Sequence, residues 1–172
     1  MGGVGLNIIQ GARLASARRI IALDLLDSKL EMAKQFGATD VVNGSKEDPV
    51  AKVKELTNGY LDYAFEAIGL PQTVEQAFAM IRPGGTAVAV GVTRGNVTVP
   101  GGAFLQEKKL IGSLYGSASV QAAIPRLVDL YMDGKVMLDE LVSKRRPLEE
   151  VNEAFEDMEK GAVARSVIEF DW

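Results

Sequence analysis

The sequence predicts an α/β fold, a doubly wound parallel sheet. Three observations predict it. Short apolar runs alternate with segments of helical period over the first 92 residues. The connections between these segments are short, as they are in parallel α/β units. Cap residues, prolines and glycines mark the predicted helix ends.

Four helices are predicted in this part of the chain. Apolar residues at helical spacing predict a helix over residues 5–17. Asp27 caps a second helix that runs to residue 36 and ends at Gly37. A third, over residues 48–57, has Pro49 at its first position, and a fourth, over 72–81, follows Pro71. The strands predicted between them are residues 20–24, 40–43, 61–66 and 86–92.

The regular alternation of predicted helices and strands ends at residue 92. Residues 93–107 contain glycine and proline without a period and predict irregular structure. The elements predicted beyond them are a strand at 109–115, a helix at 118–132, a strand at 141–144, a helix at 148–160 and a strand at 166–170.

Composition narrows the function. The 172 residues, 47% of them hydrophobic, suffice for one domain, or one and a part, with a substantial core. A net charge of −4 without a basic block argues against nucleic acid as a partner. No run of 18 apolar residues and no signal peptide is present, so we expect a cytoplasmic protein without a membrane partner. The chain has neither Cys nor His, which argues against a zinc site built by this chain alone and against imidazole catalysis.

The first five residues, Met-Gly-Gly-Val-Gly, match a dinucleotide-binding fingerprint, G-x-G-x-x-G, without its first glycine. Gly2 and Gly5 then take the second and third glycine positions. Asp24 follows nineteen residues after Gly5, at the end of a predicted strand, where the acid that binds the adenosine ribose is expected. We therefore expect the first glycine and the strand before it to lie upstream of Met1.

The loop fits the chemistry of a dinucleotide. Gly2 and Gly3 let the backbone approach a pyrophosphate, and the following helix offers N–H groups and partial positive charge. Asp24 can accept both ribose hydroxyl protons and would repel a 2′-phosphate, which favours NAD over NADP. Asp24 could instead cap the next helix, and Gly91 could be a plain turn at the end of a strand. Lys29 and Arg165, taken alone, read as solvated side chains.

Tyr131 and Lys135 match Y-x-x-x-K, the acid/base pair of short-chain dehydrogenases. That pair requires one continuous helix, and Asp133 and Gly134 predict a helix end between the two residues. We therefore set this match aside.

Taken together, the motifs resemble the medium-chain, zinc-type alcohol dehydrogenase family over essentially the whole chain. The resemblance rests on the order and spacing of several segments. These are residues 2–5, Asp24 with Lys29, residues 62–69 (Asp-Tyr-Ala-Phe-Glu-Ala-Ile-Gly), 90–92 (Val-Gly-Val), 109–116, 147–155 and 161–168.

The resemblance implies a Rossmann-type sheet lacking its first strand, and roles for individual residues. Gly2, Gly3, Val4 and Gly5 would border the pyrophosphate, which Arg165 would also reach. Asp24 and Lys29 would bind the adenosine ribose, and Ile68 would line the adenine or ribose side. Val90 and Val92, with Gly91 between them and the backbone of Tyr115, would contact the nicotinamide amide. No catalytic residue and no metal ligand is assigned to this chain.

The resemblance also implies two domains: residues 1–115 as the dinucleotide-binding domain, and 116–172 as the last portion of a catalytic domain. The remainder of that domain, with its zinc ligands and proton relay, would precede Met1. In the family the 109–115 strand often joins two sheets, so a homodimer or higher oligomer is expected. The function implied is the NAD-binding portion of an oxidoreductase that moves a hydride between an alcohol or aldehyde and NAD. Two alternatives are a stand-alone dinucleotide-binding module without turnover and a zinc-free quinone or enoyl reductase relative, a class that usually prefers NADPH.

Overall fold

Helices and strands alternate along the chain in a computed structural model, which describes residues 1–161 and 163–170. The first half of the chain runs α1 (Gly3–Leu14), β1 (Ile21–Asp24), α2 (Asp27–Gln35), β2 (Asp40–Asn43), α3 (Pro49–Thr57), β3 (Leu61–Glu66), α4 (Pro71–Met80) and β4 (Ile81–Ala89). The second half runs β5 (Lys109–Gly112), α5 (Val120–Met132), β6 (Lys144–Pro147), α6 (Val151–Glu159) and β7 (Ser166–Glu169).

The predicted parallel α/β class is confirmed. Strands β3, β4 and β5 form one sheet in that order, and both strand pairs are parallel. Strand β6 pairs with β7 in parallel, and β1 with β2 in a separate sheet. The helix signals also act as predicted at α3, where the Asp48 carboxylate accepts the Ala51 N–H at 2.8 Å and Pro49 takes the first helical position.

The chain forms two compact units. Unit 1 consists of residues 1–22, 27–41 and the described residues from Val120 onward, and unit 2 of 23–26 and 42–119. The core of unit 1 lies under α1 and α2 and reaches Leu141. Its buried members are Leu6, Ile9, Ile20, Ala22, Ala33, Phe36 and Leu141. The core of unit 2 lies between α4 and the β3–β4–β5 sheet, around Phe78 and Ile81.

Gln10 ties α1 to a distant segment of unit 1. Its side chain is 1% exposed, and its amide donates to the Met137 carbonyl at 3.0 Å while its carbonyl accepts the Met137 N–H at 2.7 Å. The same amide also donates to Asn7 at 3.2 Å. A buried amide that is satisfied in this way fixes the position of the helix that follows the glycine loop.

Strands β1 and β7 are each one residue shorter than predicted, and strand boundaries differ by more than one residue at three places. Strand β4 begins at Ile81, because the backbone becomes extended directly after α4, and the residues before Thr86 form an irregularity in the pairing with β3. It ends at Ala89, so Val90 to Val92 lie in a loop. Strand β5 ends at Gly112, and Tyr115 to Ser117 form a 3₁₀ turn in which Tyr115 has φ +48°.

The strand predicted at residues 141–144 is the third difference. Leu141 is fully buried in a 3₁₀ turn of the unit 1 core, and the strand is Lys144–Pro147. Its cations are held by ion pairs, since Arg146 contacts both Glu150 and Asp157 at 2.6 Å. Those partners make a charged sequence suitable for a strand.

Candidate functional site

The predicted site residues are distributed over both units. Unit 1 holds Gly2, Gly3, Val4, Gly5, Lys29 and Arg165, and unit 2 holds Asp24, Ile68, Val90, Gly91, Val92 and Tyr115.

In unit 1, the glycine loop leads directly into α1. Gly2 is the cap residue, with extended backbone and no side-chain hydrogen bond, and its carbonyl accepts the Leu6 N–H at 3.0 Å. The first turn carries no acidic residue. A Cβ on Gly2 would meet nothing within 4 Å, whereas a Cβ on Gly5 would lie 2.8 Å from Met1 Sδ, so the helix end is accessible at Gly2 and covered at Gly5. The first-turn N–H groups form the positive end of a twelve-residue helix.

A guanidinium lies close to this loop. The Nη2 atom of Arg165 would be 3.7 Å from a Cβ placed on Gly3, and the Ala164 carbonyl oxygen would be 3.5 Å from it. Lys29 lies in α2 of the same unit. Unit 1 thus brings the predicted cofactor residue Arg165 to the helix end.

In unit 2, Asp24 ends β1 with its carboxylate held by the backbone. Its Oδ1 atom accepts the N–H of Leu25 at 2.7 Å and of Leu26 at 3.1 Å. Its main-chain carbonyl accepts the Gly44 N–H at 3.0 Å. The carboxylate is thereby oriented at the carboxyl end of a strand, the position at which open parallel sheets bind ligands.

The loops after β3 and β4 meet in the same unit. A Cβ on Gly69 would lie 2.5 Å from the Val92 carbonyl oxygen, and Gly69 has φ +93°. A Cβ on Gly91 would overlap the Gly69 amide nitrogen. The structure therefore brings the predicted residues Ile68, Val90, Gly91 and Val92 into adjoining loops, and both glycines are required by the close approach.

Tyr115 lies beyond the end of β5, and its side chain is exposed. The strand that was expected to carry it is shorter than predicted, because the chain turns into a 3₁₀ conformation at this residue.

Glu66 was quoted within a motif but given no role in the sequence interpretation. It is the last residue of β3, only 4% exposed, and its Oε1 atom accepts hydrogen bonds from Ile68 N, Gly69 N and Thr73 Oγ1. The sequence feature that could have identified Glu66 is an acidic residue at the end of an apolar strand, directly before Ala-Ile-Gly.

The Tyr131 and Lys135 match forms no acid/base pair. Helix α5 ends at Met132, and Gly134 has φ +66°. The Tyr131 hydroxyl donates to Asp139 at 2.7 Å, which raises the pKa of Tyr131, and Lys135 pairs with Asp133 at 2.9 Å. The two side chains have separate partners.

The described residues contain neither a metal-binding cluster nor a membrane-spanning helix. Within residues 1–161 and 163–170, no group of three or more acidic, His or Cys side chains is suited to hold a metal ion. With no Cys or His in the sequence, the residues present do not fit a zinc site. Every helix in the described part of the chain is too short or too polar to traverse a bilayer.

Comparisons with known proteins agree on one family. The family described as Zinc-binding dehydrogenase matches residues 3–131. The NDMA-dependent alcohol dehydrogenase of Amycolatopsis methanolica is 43% identical over 98% of this chain and 47% of its own length. Alcohol dehydrogenase 1 of Pisum sativum is 38% identical over 99% of this chain and 46% of its own.

A solved structure agrees as well. Benzyl alcohol dehydrogenase from Acinetobacter calcoaceticus superimposes with a TM-score of 0.93 at 35% identity, covering 99% of this chain and 48% of that one. The chain therefore spans about half the length of the relatives that it matches.

Proposed function

Since the chain belongs to the zinc-binding dehydrogenase family, we propose that it is the NAD-binding portion of an alcohol dehydrogenase-like oxidoreductase. Residues 1–115 are the proposed dinucleotide-binding domain, and 116–172 the last portion of a catalytic domain. Relatives about twice as long carry the name alcohol dehydrogenase. For the whole protein we propose hydride transfer between a small alcohol or aldehyde and NAD. The cytoplasmic location stays a prediction.

The observation that carries this proposal is the positive end of α1, which has no side-chain cap. Arg165 lies beside Gly3. A pyrophosphate is the group that such a helix end, with a nearby guanidinium, binds well. Gly2, Gly3, Val4 and Gly5 would surround it. The NAD of the family therefore fits the residues present at this position.

The choice of NAD over NADP rests on Asp24. Two backbone N–H groups hold its Oδ1 atom. The carboxylate would accept the ribose hydroxyl protons. A fixed negative charge at this place repels a 2′-phosphate. Lys29 is the proposed second ribose contact.

For the nicotinamide end, we assign the loop after β4 in unit 2. Val90, Gly91 and Val92, with the Tyr115 backbone, would hold the nicotinamide amide, and Ile68 the adenine or ribose side. When bound, the nicotinamide supplies the carbon that exchanges a hydride. The protein's part is to fix the ring. No step is assigned to zinc, because the residues of this chain do not fit it.

The 172-residue chain by itself is expected to bind cofactor without turnover, since it has neither Cys nor His for metal or imidazole catalysis. A homodimer or higher oligomer through residues 109–115 is proposed as well. Strand β5 is an edge of its sheet, and Ile111 on it is 49% exposed. Light scattering of the purified chain would give its mass, and a monomer would contradict this assembly.

The cofactor proposal is tested by titrating the chain with NADH and NADPH and following cofactor fluorescence. We expect tighter NADH binding. The variant Asp24→Asn keeps an oxygen that accepts the Leu25 and Leu26 N–H groups but loses the charge. It should weaken NADH about 10- to 150-fold, the loss of a hydrogen bond to a charged group, and narrow the preference for NADH over NADPH.

Glu31→Gln is the matched control, because Glu31 is exposed on α2. It should leave both affinities unchanged. Tighter binding of NADPH than of NADH would refute the role of Asp24, and the absence of binding to either would refute the proposed function of this chain.

A further inference from the structure

The end of β3 carries a buried carboxylate with an unusual set of contacts. One oxygen of Glu66, Oε1, accepts the Ile68 N–H at 2.7 Å, the Gly69 N–H at 2.8 Å and the Thr73 hydroxyl at 2.8 Å. These donors come from the loop after β3 and from the first turn of α4. A carboxylate only accepts hydrogen bonds and binds backbone N–H groups more strongly than a neutral amide does. Glu66 therefore fixes the path of residues 67–70.

The same residue also holds the loop after β4. Its main-chain carbonyl accepts the N–H of Val90 at 2.8 Å and of Gly91 at 3.1 Å. Its second carboxylate oxygen, Oε2, would lie 2.8 Å from a Cβ on Gly91. Glu66 thus contacts two loops that belong to different strands of the sheet, and it is the residue around which Gly69 and Gly91 approach each other.

The second oxygen is unsatisfied. Oε2 is buried and has no hydrogen-bond partner in the part of the chain that the structure describes. An unpaired buried oxygen is costly, more so when it carries charge. A residue that served only to hold the turn after β3 would need one acceptor, which a smaller or neutral side chain supplies.

We propose that Glu66 is a positioning residue that joins the loop 67–70 to the loop 90–92 and so sets the geometry of the nicotinamide end of the site. This inference rests on the proposed function, because the loop 90–92 is a proposed nicotinamide contact, whereas Ile68 of the loop 67–70 is proposed to line the adenine or ribose side. Glu66 touches neither cofactor nor substrate in this account. It acts through the backbone of Ile68, Gly69, Val90 and Gly91.

The first experiment measures amide hydrogen exchange by NMR in the 172-residue chain. In Glu66→Ala, exchange at Ile68 and Gly69 should accelerate about tenfold or more, because their acceptor is gone. Exchange at Val90 and Gly91 should accelerate as well, although their own acceptor, the main-chain carbonyl, remains. Glu66→Gln should restore most of the protection, since its amide oxygen can still accept.

Val74→Ala is the matched control. Val74 is 2% exposed in α4 of the same unit and belongs to neither loop. It should lower protection throughout unit 2 without singling out the loops. If Glu66→Ala gives the same uniform pattern, or accelerates only Ile68 and Gly69, Glu66 does not join the loops. Should Glu66→Ala fail to fold, Glu66→Asp serves in its place, because its shortened side chain moves the carboxylate away from the loop amides.

The second experiment compares NADH with ADP-ribose, which lacks the nicotinamide, by calorimetry. Glu66→Ala should weaken NADH more than ADP-ribose, whereas Val74→Ala should weaken both alike or neither. Equal weakening by Glu66→Ala would overturn the link to the nicotinamide end. If the unaltered chain binds neither compound, the proposed cofactor function fails, and the exchange experiment still decides whether Glu66 joins the loops.

Discussion

Replacing Gly91 by alanine tests the close approach of the two loops. The added Cβ would overlap the Gly69 amide nitrogen and lie 2.8 Å from both Gly69 Cα and Glu66 Oε2. Ordinary contact begins at 3.4 Å, so the loops must separate by about 0.6 Å or more. Neither obstacle can move easily, since one is backbone and the other is a carboxylate held by three hydrogen bonds.

The expected cost follows from these contacts. Overpacking of a well-packed site costs about 1–3 kcal/mol, and we expect the upper end here. Alanine also restricts the unfolded chain, which returns about 0.4–1 kcal/mol. The net loss in the free energy of unfolding is therefore about 2 kcal/mol. Gly112→Ala is the control, because Gly112 lies in β5 with nothing within 4 Å of its added Cβ. It should be neutral or stabilising by about 0.4–1 kcal/mol.

Urea unfolding followed by far-ultraviolet circular dichroism gives both values. We expect Gly91→Ala to fall about 2–3 kcal/mol below Gly112→Ala. A difference under about 0.5 kcal/mol would show that the loops are loose enough to accept a side chain, and the argument from close approach would be refuted.

Three further outcomes are expected. Gln10→Ala leaves the Met137 N–H and carbonyl unpaired and should lower the free energy of unfolding by about 2–4 kcal/mol in the same urea assay. Arg165→Ala should weaken NADH about 3- to 10-fold in a fluorescence titration and make binding less sensitive to salt. Hydrogen bonds from Arg146 and then Lys144 lower the pKa of Asp157, so its stabilising effect is present above the ordinary value of 3.8 and is lost as pH falls through the lower folded pKa. Asp157→Asn should therefore destabilise the chain at pH 7 and flatten its acid unfolding curve.

Each of these has a matched control. Gln35→Ala changes an exposed residue at the end of α2, and an effect as large as that of Gln10→Ala would contradict the role of the Met137 hydrogen bonds. Arg126→Ala removes an exposed cation from α5, and NADH weakened equally would show a general charge effect. Glu153→Gln alters another exposed acid of α6, and an acid curve flattened to the same extent would count against the ion pairs of Asp157.

Local signals predicted most of the fold. Strand Leu61–Glu66 and strand Asp40–Asn43 have the predicted bounds, and α3 begins where Asp48 and Pro49 indicated. These signals depend on neighbouring residues alone, so they can be read from the sequence.

The predicted strand bounds were wrong where contacts between residues distant in the sequence determine the local structure. Leu141 belongs to an apolar run, but the core of unit 1 takes it into a 3₁₀ turn, and the strand forms on charged residues whose partners lie on α6 and β7. The role of Glu66 was not predicted for a similar reason. Its oxygen atoms accept hydrogen bonds from two loops, and the loop after β4 is more than twenty residues away along the chain. The cofactor residues named from the glycine loop and Asp24 stay predictions until binding is measured.

The contact between Gln10 and Met137 has a consequence for synthesis of the protein. It spans 127 residues, so at about 5–20 residues per second the ribosome needs about 6–25 s after residue 10 to supply the partner. During that time α1 and the glycine loop lack the backbone groups that satisfy the Gln10 amide. Helix α1 therefore reaches its final place only after residue 137 has emerged, and a nascent chain stalled before residue 137 should leave α1 open to proteases.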